Sequence, residues 1–591
     1  MSSSSEPSLT QLAAFLHSPF AKSLLESHPN NLREPHSIWA RWWEWSKSHS
    51  RWMSIAKYYA APYWTDSIPQ EITDLIDVLK SMEMPRSPIS IPGLNDTVRP
   101  GRTRLGSGMS PKKTHEVDRM TAYVQSLVDS LHLPGDAKPY FVDGYLTRNL
   151  CIHFNSHVLA LDADRSQTKG AEIREQKIMG KKFRRHPSDD DSNAIEAGTI
   201  THQTVHVDAH SLAEVIDSWV SGLPEPKSLS PIPVLLVALH ACGSLTPDTL
   251  RAFIGAKDGD GTARINGVST GKTWYFAAAV VVGCCYNLLR AEVTSTAAPE
   301  RDTRLILLFL IEFGTCKEAV LRNKSNLGES LDFPLSQTLS NSTFTDLPPS
   351  AYHLATQIPS HWFDNDRSST STALSVRKVV WRALLGHAIA DPGLALPAPE
   401  VSGQAQSGLG SNGKDTGSTD RLVNGGDNAA CVTFNRTGAG TITQRKPAED
   451  GEDESTGSNP VMRRLGRLAD SAYRDWDTFL LKVGEKLGIS VQSSLAATQN
   501  DGGCKSQSLP TATQLETLHV LRCLLGPAVE TLIARDRIQW VVDELAKVAR
   551  DGNGFDDNLT VQCINLFDQG SGSGRNTAIV IAPSSALPSC S

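Results

Sequence analysis

Two carboxylates each follow a short apolar run, and their spacing is typical of a nucleoside-binding half-site. Asp143 follows the run 140–142, Asp162 follows the run 158–161, and the residues between them carry helical apolar spacing. In an open α/β sheet, ligands bind outside the carboxyl ends of the strands, where an acidic side chain can hold a ribose diol. The alternative is that both carboxylates cap the helices of ordinary strand–helix units.

The turn after Asp143 contains a single glycine, Gly144, and the chain passes from strand to helix with almost no loop. A cofactor-binding turn usually contains several glycines, because backbone N–H groups can then approach the ligand without a Cβ in between. The absence of this glycine fingerprint disfavours a nicotinamide dinucleotide site. The turn after Asp143 therefore lacks a usual feature of a cofactor-binding turn.

A second group of reactive side chains follows two later apolar runs. Its members are His240, Cys242, Cys284, Cys285 and Tyr286. If the two strands are neighbours, these side chains converge beside Asp143, where His240 could act as a general base in an acceptor pocket. Zinc binding by His240 and the cysteines is one alternative, and a purely structural role for each cysteine is another. Neighbouring side chains on a strand point to opposite faces, and we therefore predict no metal site.

The elements that must position these residues are parallel strands alternating with helices. The predicted strands are 140–142, 158–161, 201–207, 232–239 and 274–282, and the third of them ends at Asp208. Strand alternating with helix this regularly predicts an α/β fold with a doubly wound, Rossmann-like sheet. The alternating segments 561–567 and 577–582 predict a hairpin that completes the edge of the same sheet.

The length of 591 residues, the formal charge of −7 and the ten cysteines restrict the class of protein. The acidic balance excludes electrostatic binding of DNA by the whole molecule, and no apolar run is long enough to predict a membrane span. The cysteines form no regular framework, which favours a reducing compartment. We therefore expect a cytoplasmic protein, with a nuclear-import signal at residues 181–185 as the alternative.

Composition divides the chain into four regions. Residues 1–105 are predicted to be helical, and residues 106–391 to form the α/β domain, in which 291–331 match no strand–helix unit. Residues 392–460 are rich in Gly, Ser, Asp and Asn and are predicted to be disordered, because they cannot bury enough apolar surface to offset chain entropy. Residues 461–591 are predicted to contain helices and the final hairpin.

Two features of the first half have alternative interpretations. Six of the twelve tryptophans lie in the helical N-terminal region, where they either stack on exposed bases or pack a helix onto its neighbour. Lys112, Lys113, His115 and Glu116 lie at the start of a predicted helix. This helix start either folds over a pocket or is solvated.

Several motifs occur in an order that resembles a known family. They are GMSPKKTHEV before the first strand, HACG and GCCY after the two later runs, DFPLSQ at 332–337, and a closing hairpin from LFD to RNTAIVIA. Over residues 39–391 and 461–582 the chain resembles the eukaryotic methyltransferase-domain proteins of the methyltransferase-like twenty-five type, some of which are named for an rRNA adenine dimethylase domain.

The resemblance implies a class I fold that binds S-adenosyl-L-methionine. Asp143 and Gly144 would be what remains of the methionine-side loop, Asp162 the ribose acid, and Asp208 a neighbour of the adenine. The HACG and GCCY motifs would lie at the acceptor edge, with His240 and Tyr286 as candidate catalytic residues that orient the acceptor.

The chain departs from the family pattern in two places. The segment FVD joins GYLTRNL directly, without the glycine-rich turn, and residues 292–331 separate GCCYNLL from FPLS. Both departures would follow from exon boundaries wrongly assigned in a gene model. We therefore expect a methyltransferase-fold protein with an unknown protein or RNA acceptor, impaired by the shortened turn. The alternative is a non-catalytic module that binds a protein or RNA through the Trp-rich region.

Overall fold

The computed structural model describes most of the chain outside the low-complexity segments. The described residues are 7–48, 51–61, 67–92, 94, 110–134, 137–183, 198–208, 210–223, 231–258, 273–290, 331–342, 347–390, 395–397, 429–435, 465–487, 490–495, 510–550, 559–571, 573–574 and 576–588. The predicted insertion 291–331 therefore lies outside the described residues, except for Leu331. The predicted nuclear-import segment 181–185 also lies outside them, except for the backbone of residues 181–183.

Within the described residues, ten strands form two sheets. They are β1 (Tyr140–Asp143), β2 (Val158–Asp162), β3 (Ile200–Thr204), β4 (Ile232–Cys242), β5 (Trp274–Cys284), β6 (Ala395–Pro397), β7 (Ala429–Asn435), β8 (Ser490–Leu495), β9 (Leu559–Asn565) and β10 (Thr577–Pro583). The main sheet has the order β3-β2-β1-β4-β5-β10-β9. Strands β1 to β5 are parallel, whereas β10 is antiparallel to both β5 and β9. The predicted doubly wound sheet and its closing hairpin are confirmed.

The smaller sheet has the order β6-β7-β8. Strands β6 and β7 belong to the segment 392–460, for which we predicted disorder. The rest of that segment lies outside the described residues.

The helices pack on both faces of the main sheet and in a separate layer. They are α1 (Leu9–Leu16), α2 (Pro19–Glu26), α3 (Ala40–Trp45), α4 (Arg51–Ala60), α5 (Gln70–Met82), α6 (Pro111–Ser130), α7 (Thr147–Phe154), α8 (Arg165–Phe183), α9 (Ser211–Ser221), α10 (Leu245–Asp258), α11 (Gln337–Ser340), α12 (Pro349–Tyr352), α13 (Asp366–Ala390), α14 (Trp476–Leu487), α15 (Ala512–Leu524) and α16 (Gly526–Arg550).

Side chains on the two faces of the central strands enter different cores. On one face, Val237 and Val280 pack with apolar residues of α6 and α7. On the other, Leu236 and Val281 pack with residues of α9, α10 and the second half of α16. Strands β4 and β5 are apolar on both faces because each lies between two other strands and under helices on both sides.

The third core belongs to the helical layer formed by α1 to α5, α13, α14, α15 and the first half of α16. Trp39, Trp42, Trp43 and Trp52 are buried in it, and the ring centroids of Trp39 and Trp42 lie 5.2 Å apart. These four indoles pack helices together and do not form a surface on which bases could stack. Trp64 lies outside the described residues.

Several predicted boundaries differ from the structure by a few residues, and in two places the difference changes the interpretation. Strand β3 ends at Thr204, and Asp208 instead caps α9, because an aspartate before a helix can accept hydrogen bonds from its first N–H groups. The predicted helix 513–548 is two helices, which meet at Leu525. By length and composition the segment Ala512–Arg550 could cross a membrane, but 94% of its most apolar window is buried in the protein.

Candidate functional site

The order of the main sheet reverses between β1 and β4, and ligands of doubly wound folds bind at this switch point. Three of the predicted site residues lie at the carboxyl ends of strands around it. Asp143 ends β1, Asp162 ends β2, and His240 lies near the end of β4. The start of α6 covers this edge, because its side chains contact residues of β4 and of the turn after β1.

Asp143 is buried, and the turn that follows it uses one of its carboxyl oxygens. Oδ2 accepts hydrogen bonds from the Tyr145 backbone N–H at 2.7 Å and from the Thr147 hydroxyl at 3.0 Å. The buried Oδ1 accepts none from the described residues. Burial raises the pKa of Asp143 to about 7, although the hydrogen bonds from the turn oppose the increase. The carboxyl group thus stabilises the turn that leads into α7, although it is not the N-cap, a position that Leu146 occupies.

Gly144 brings this turn against the end of β2. A Cβ added to Gly144 would lie 3.0 Å from the backbone oxygen of Leu161, which is closer than almost all real Cβ contacts. A ligand that enters between a strand end and the following helix needs open space there, with N–H groups facing it. In this chain the turn instead packs closely against the backbone at the end of β2.

The other two predicted cofactor-binding acids are exposed. Asp162 Oδ1 accepts a hydrogen bond from Asp164 N–H at 2.8 Å, and the side chain lies at the carboxyl end of β2, where a ribose acid is expected. Asp208 Oδ1 accepts from the backbone N–H groups of His210 and Ser211, both at 2.9 Å. The bond from Ser211 is the main reason that the pKa of Asp208 is lowered.

His240 pairs with a buried acid that the sequence did not identify as a partner. Its Nε2 lies 3.5 Å from Glu116 Oε2, and the side chain of Glu116 is only 3% exposed. Ser573 donates a hydrogen bond to Glu116 Oε1 at 2.7 Å, and Lys112 Nζ lies 3.8 Å from the same oxygen. Burial alone would raise the pKa of Glu116, but His240, Ser573 and Lys112 together hold it below its usual value.

Tyr145 fills the space beside this pair. Its ring lies edge-on to the His240 ring, with centroids 4.7 Å apart, and the Lys113 ammonium lies 4.1 Å from its centroid. The start of α6 therefore folds over the switch point and is not simply a solvated helix start. Glu116 is in register with the apolar stripe of α6, four residues before Met120, and this position was the available sequence signal for its burial.

Residues 112–260 match a family model described as a methyltransferase domain. The protein contains a methyltransferase domain. The matched segment begins in the first turn of α6, contains Glu116, Asp143, Asp162 and His240, and ends just after α10. Searches of curated proteins and of solved structures find no match to the chain.

Tyr286 lies beyond the matched segment of the methyltransferase domain, and the structure does not bring it to the acceptor edge. Its side chain is buried, and its hydroxyl donates a hydrogen bond to Glu530 Oε1 at 3.0 Å. Arg86 binds the other oxygen of Glu530 at 2.6 Å, and the Arg537 guanidinium lies 5.4 Å from the centroid of the Tyr286 ring. This network joins the helical layer to the methyltransferase domain, and such a position argues against contact between Tyr286 and an acceptor.

The cysteines at the ends of β4 and β5 converge, contrary to expectation. The sulfur atoms of Cys242, Cys284 and Cys285 all lie within 4.8 Å of one another. We expected Cys284 and Cys285 to point to opposite faces. That expectation was wrong because Cys285 adopts the left-handed conformation, with φ of 49°, and the strand alternation ends there. The hydrogen bond with Cys242, the contact with Cys285 and burial all raise the pKa of Cys284.

Proposed function

We propose that this protein has the fold of the S-adenosyl-L-methionine-dependent methyltransferases and is related to the methyltransferase-like twenty-five type, with a donor site that is impaired in this chain by the closed turn after Asp143. The observation that carries the proposal is the contact between the buried Glu116 and His240 at the switch point of a methyltransferase domain, with the exposed Asp162 at the end of β2 on the same edge of the sheet. A buried carboxylate that faces a histidine at a ligand-binding edge is the kind of arrangement from which functional sites are built.

We assign the residues at this edge different roles in methyl transfer. When bound, S-adenosyl-L-methionine would supply an electrophilic methyl group and leave as S-adenosylhomocysteine, and the rate of this transfer depends mainly on positioning. Asp162 is placed to hold the ribose hydroxyls. His240, oriented by the Glu116 carboxylate, is placed to accept a proton from an acceptor nitrogen or oxygen. Tyr145 lies against His240, the Lys113 ammonium lies over the ring of Tyr145, and both side chains would limit the approach of the acceptor.

The methionine side of the site does not fit the cofactor in this chain. Asp143 binds its own turn, and Gly144 lies against Leu161, so the N–H groups that would hold the methionine moiety have no open space before them. Opening the turn would break two or three hydrogen bonds worth roughly 0.5 to 1.5 kcal/mol each. We therefore expect cofactor affinity about ten- to a thousandfold below that of a chain with a full glycine-rich turn.

Calorimetric titration with S-adenosylhomocysteine tests this proposal. The two proteins to compare are the chain as it stands and a variant with a glycine-rich insert between Asp143 and Gly144. We expect strong binding only by the insert variant, and Asp162→Ala in that variant should abolish it. Absence of heat from a folded insert variant would overturn the donor-site assignment. Micromolar binding by the chain as it stands would show that the closed turn is not a barrier.

A non-catalytic binding module is the second candidate, and the closed turn at Gly144 is the observation that favours it. The buried indoles of Trp39, Trp42, Trp43 and Trp52 could not mediate such binding, so a partner would have to use another surface. Retention of one protein or RNA partner after Asp162→Ala, with no methyl transfer by the insert variant, would support this candidate. The acceptor class and the cytoplasmic location stay predictions.

A further inference from the structure

Three thiols meet at the carboxyl edge of the central strands, next to the Glu116–His240 pair. Cys242 ends β4, Cys284 ends β5, and these two residues are register partners in adjacent parallel strands. Their sulfur atoms lie 3.0 Å apart, and Cys285 completes a group in which every sulfur lies within 4.8 Å of the others. Cys284 is buried, Cys285 is partly buried, and Cys242 is accessible to solvent.

Two unusual backbone conformations produce this convergence. Cys285 has φ of 49° and ψ of 49°, which turns its side chain back beside that of Cys284. Gly243, directly after Cys242, has φ of 53°, and its N–H donates to the Cys284 carbonyl at 3.2 Å. A Cβ on Gly243 would lie 2.6 Å from Leu288 Cβ, so the two turns pack directly on each other. Non-glycine residues rarely adopt positive φ, and such residues cluster at functional sites.

We propose that Cys242, Cys284 and Cys285 bind one thiophilic divalent cation, with Zn²⁺ as the best-fitting ion. Zinc–thiolate bonds of about 2.3 Å place the sulfurs of a tetrahedral site roughly 3.8 Å apart, so small side-chain movements would bring this group to that geometry. Thiolate ligands select soft ions such as zinc over magnesium or calcium.

Three protein ligands leave a fourth coordination position for water or substrate, as in catalytic zinc sites. The accessible side of the cluster is that of Cys242, two residues after His240 on β4. The group consists of the three sulfur atoms and does not include the His240 ring, whose Nε2 faces Glu116. The proposed ion would thus lie at the acceptor edge, and its binding does not depend on the proposed methyl transfer.

Metal binding by the full chain tests the proposal directly. The protein is purified under reducing conditions, stripped of metal with a chelator, and titrated with Zn²⁺ in competition with a chromophoric chelator. Titration with Co²⁺ gives an independent readout, because thiolate ligands produce a charge-transfer absorption. We expect one ion per chain in both titrations.

Single substitutions then assign the ligands. Cys242→Ser and Cys285→Ser should each weaken Zn²⁺ binding by more than the 10- to 100-fold that is typical of losing an outer-shell partner. The matched control is Cys563→Ser, because Cys563 lies on β9 and contacts Met84 instead of the cluster. Thermal unfolding of each variant without metal shows whether it folds, and the cobalt spectrum of the unsubstituted chain does not depend on that result.

Three outcomes would overturn the proposal. The first is no charge-transfer band at one equivalent of Co²⁺. The second is Zn²⁺ affinity unchanged in a folded Cys285→Ser variant. The third is a Cys242–Cys284 disulfide found by mass spectrometry in protein kept reduced, together with no metal uptake.

Discussion

At the scale of one residue, the closed turn changes the pKa of Asp143 and thereby the free energy of unfolding. Its carboxyl group is buried with one oxygen bound to the turn and the other without a partner among the described residues. The charged form is therefore poorly solvated, and burial raises its pKa to about 7. Between about pH 4 and pH 7 the folded chain holds this proton more tightly than the unfolded chain, so the free energy of unfolding falls as pH rises through this range.

Asp143→Asn removes this titration and should change how stability depends on pH. The increase in pKa corresponds to roughly 4 kcal/mol when the group is fully ionised. We expect the variant to gain about 3 kcal/mol relative to the unsubstituted chain when the pH is raised from 5 to 8. Denaturant unfolding at both pH values measures the gain, and the exposed Asp162→Asn is the control. An equal stability difference at the two pH values would refute the assignment.

At the scale of secondary-structure elements, helix α16 connects the core of the helical layer with one of the cores of the main sheet. Its first half packs in the helical layer, and Val541 in its second half packs under the main sheet. The helix can begin where it does because Gly526 lies against the backbone of Leu354. A Cβ at Gly526 would lie 2.1 Å from the Leu354 carbonyl oxygen, a contact that no rotamer change can relieve.

Gly526→Ala should therefore destabilise the protein by about 1 to 3 kcal/mol or more, because α16 must move away from Leu354. The control is Gly255→Ala in α10, where an added Cβ meets no atom within 4 Å. That substitution should be neutral or stabilise by up to about 1 kcal/mol, since alanine favours a helix. Thermal unfolding of both variants gives the comparison. Equal midpoints would show that the contact at Leu354 is not tight.

At the scale of the whole molecule, Arg290 and Asp332 are in contact although 41 residues separate them in the sequence. The backbone N–H of Asp332 donates to the Arg290 carbonyl at 2.8 Å. The Arg290 guanidinium lies 2.9 Å from Asp332 Oδ1 and 3.0 Å from Asp248 Oδ1. The two ends of the segment 291–331 are therefore held together by residues outside it.

Deletion of residues 292–330 should leave a folded protein. In the shortened chain Arg290, Ala291, Leu331 and Asp332 would form a β-turn, whose hydrogen bond between the first and fourth residues already exists. Loop-closure entropy predicts unchanged or higher stability, by up to roughly 3 kcal/mol. Thermal unfolding measures the effect. Asp332→Ala in the shortened chain is the control and should lower the midpoint, whereas failure of the deletion variant itself to fold would contradict the prediction.

Much of this fold could be predicted from the sequence, because local patterns report local burial. The continuous apolar runs of β4 and β5 predicted central strands, and the alternation of 577–582 predicted the closing hairpin. Helix ends were less predictable. Asp208 resembles a strand end as much as a helix cap in the sequence, and only the hydrogen bonds to His210 and Ser211 distinguish the two.

The sequence by itself determined the doubly wound sheet and the edge to which Asp143, Asp162 and His240 belong, because strand ends follow from apolar periodicity. Only the tertiary structure decided which side chains meet there. Glu116 reaches His240 across a long stretch of chain, Cys285 turns toward Cys284 by leaving the strand conformation, and Tyr286 enters a buried network with Glu530. These contacts depend on packing between distant elements and on single backbone angles, and periodicity carries no information about either.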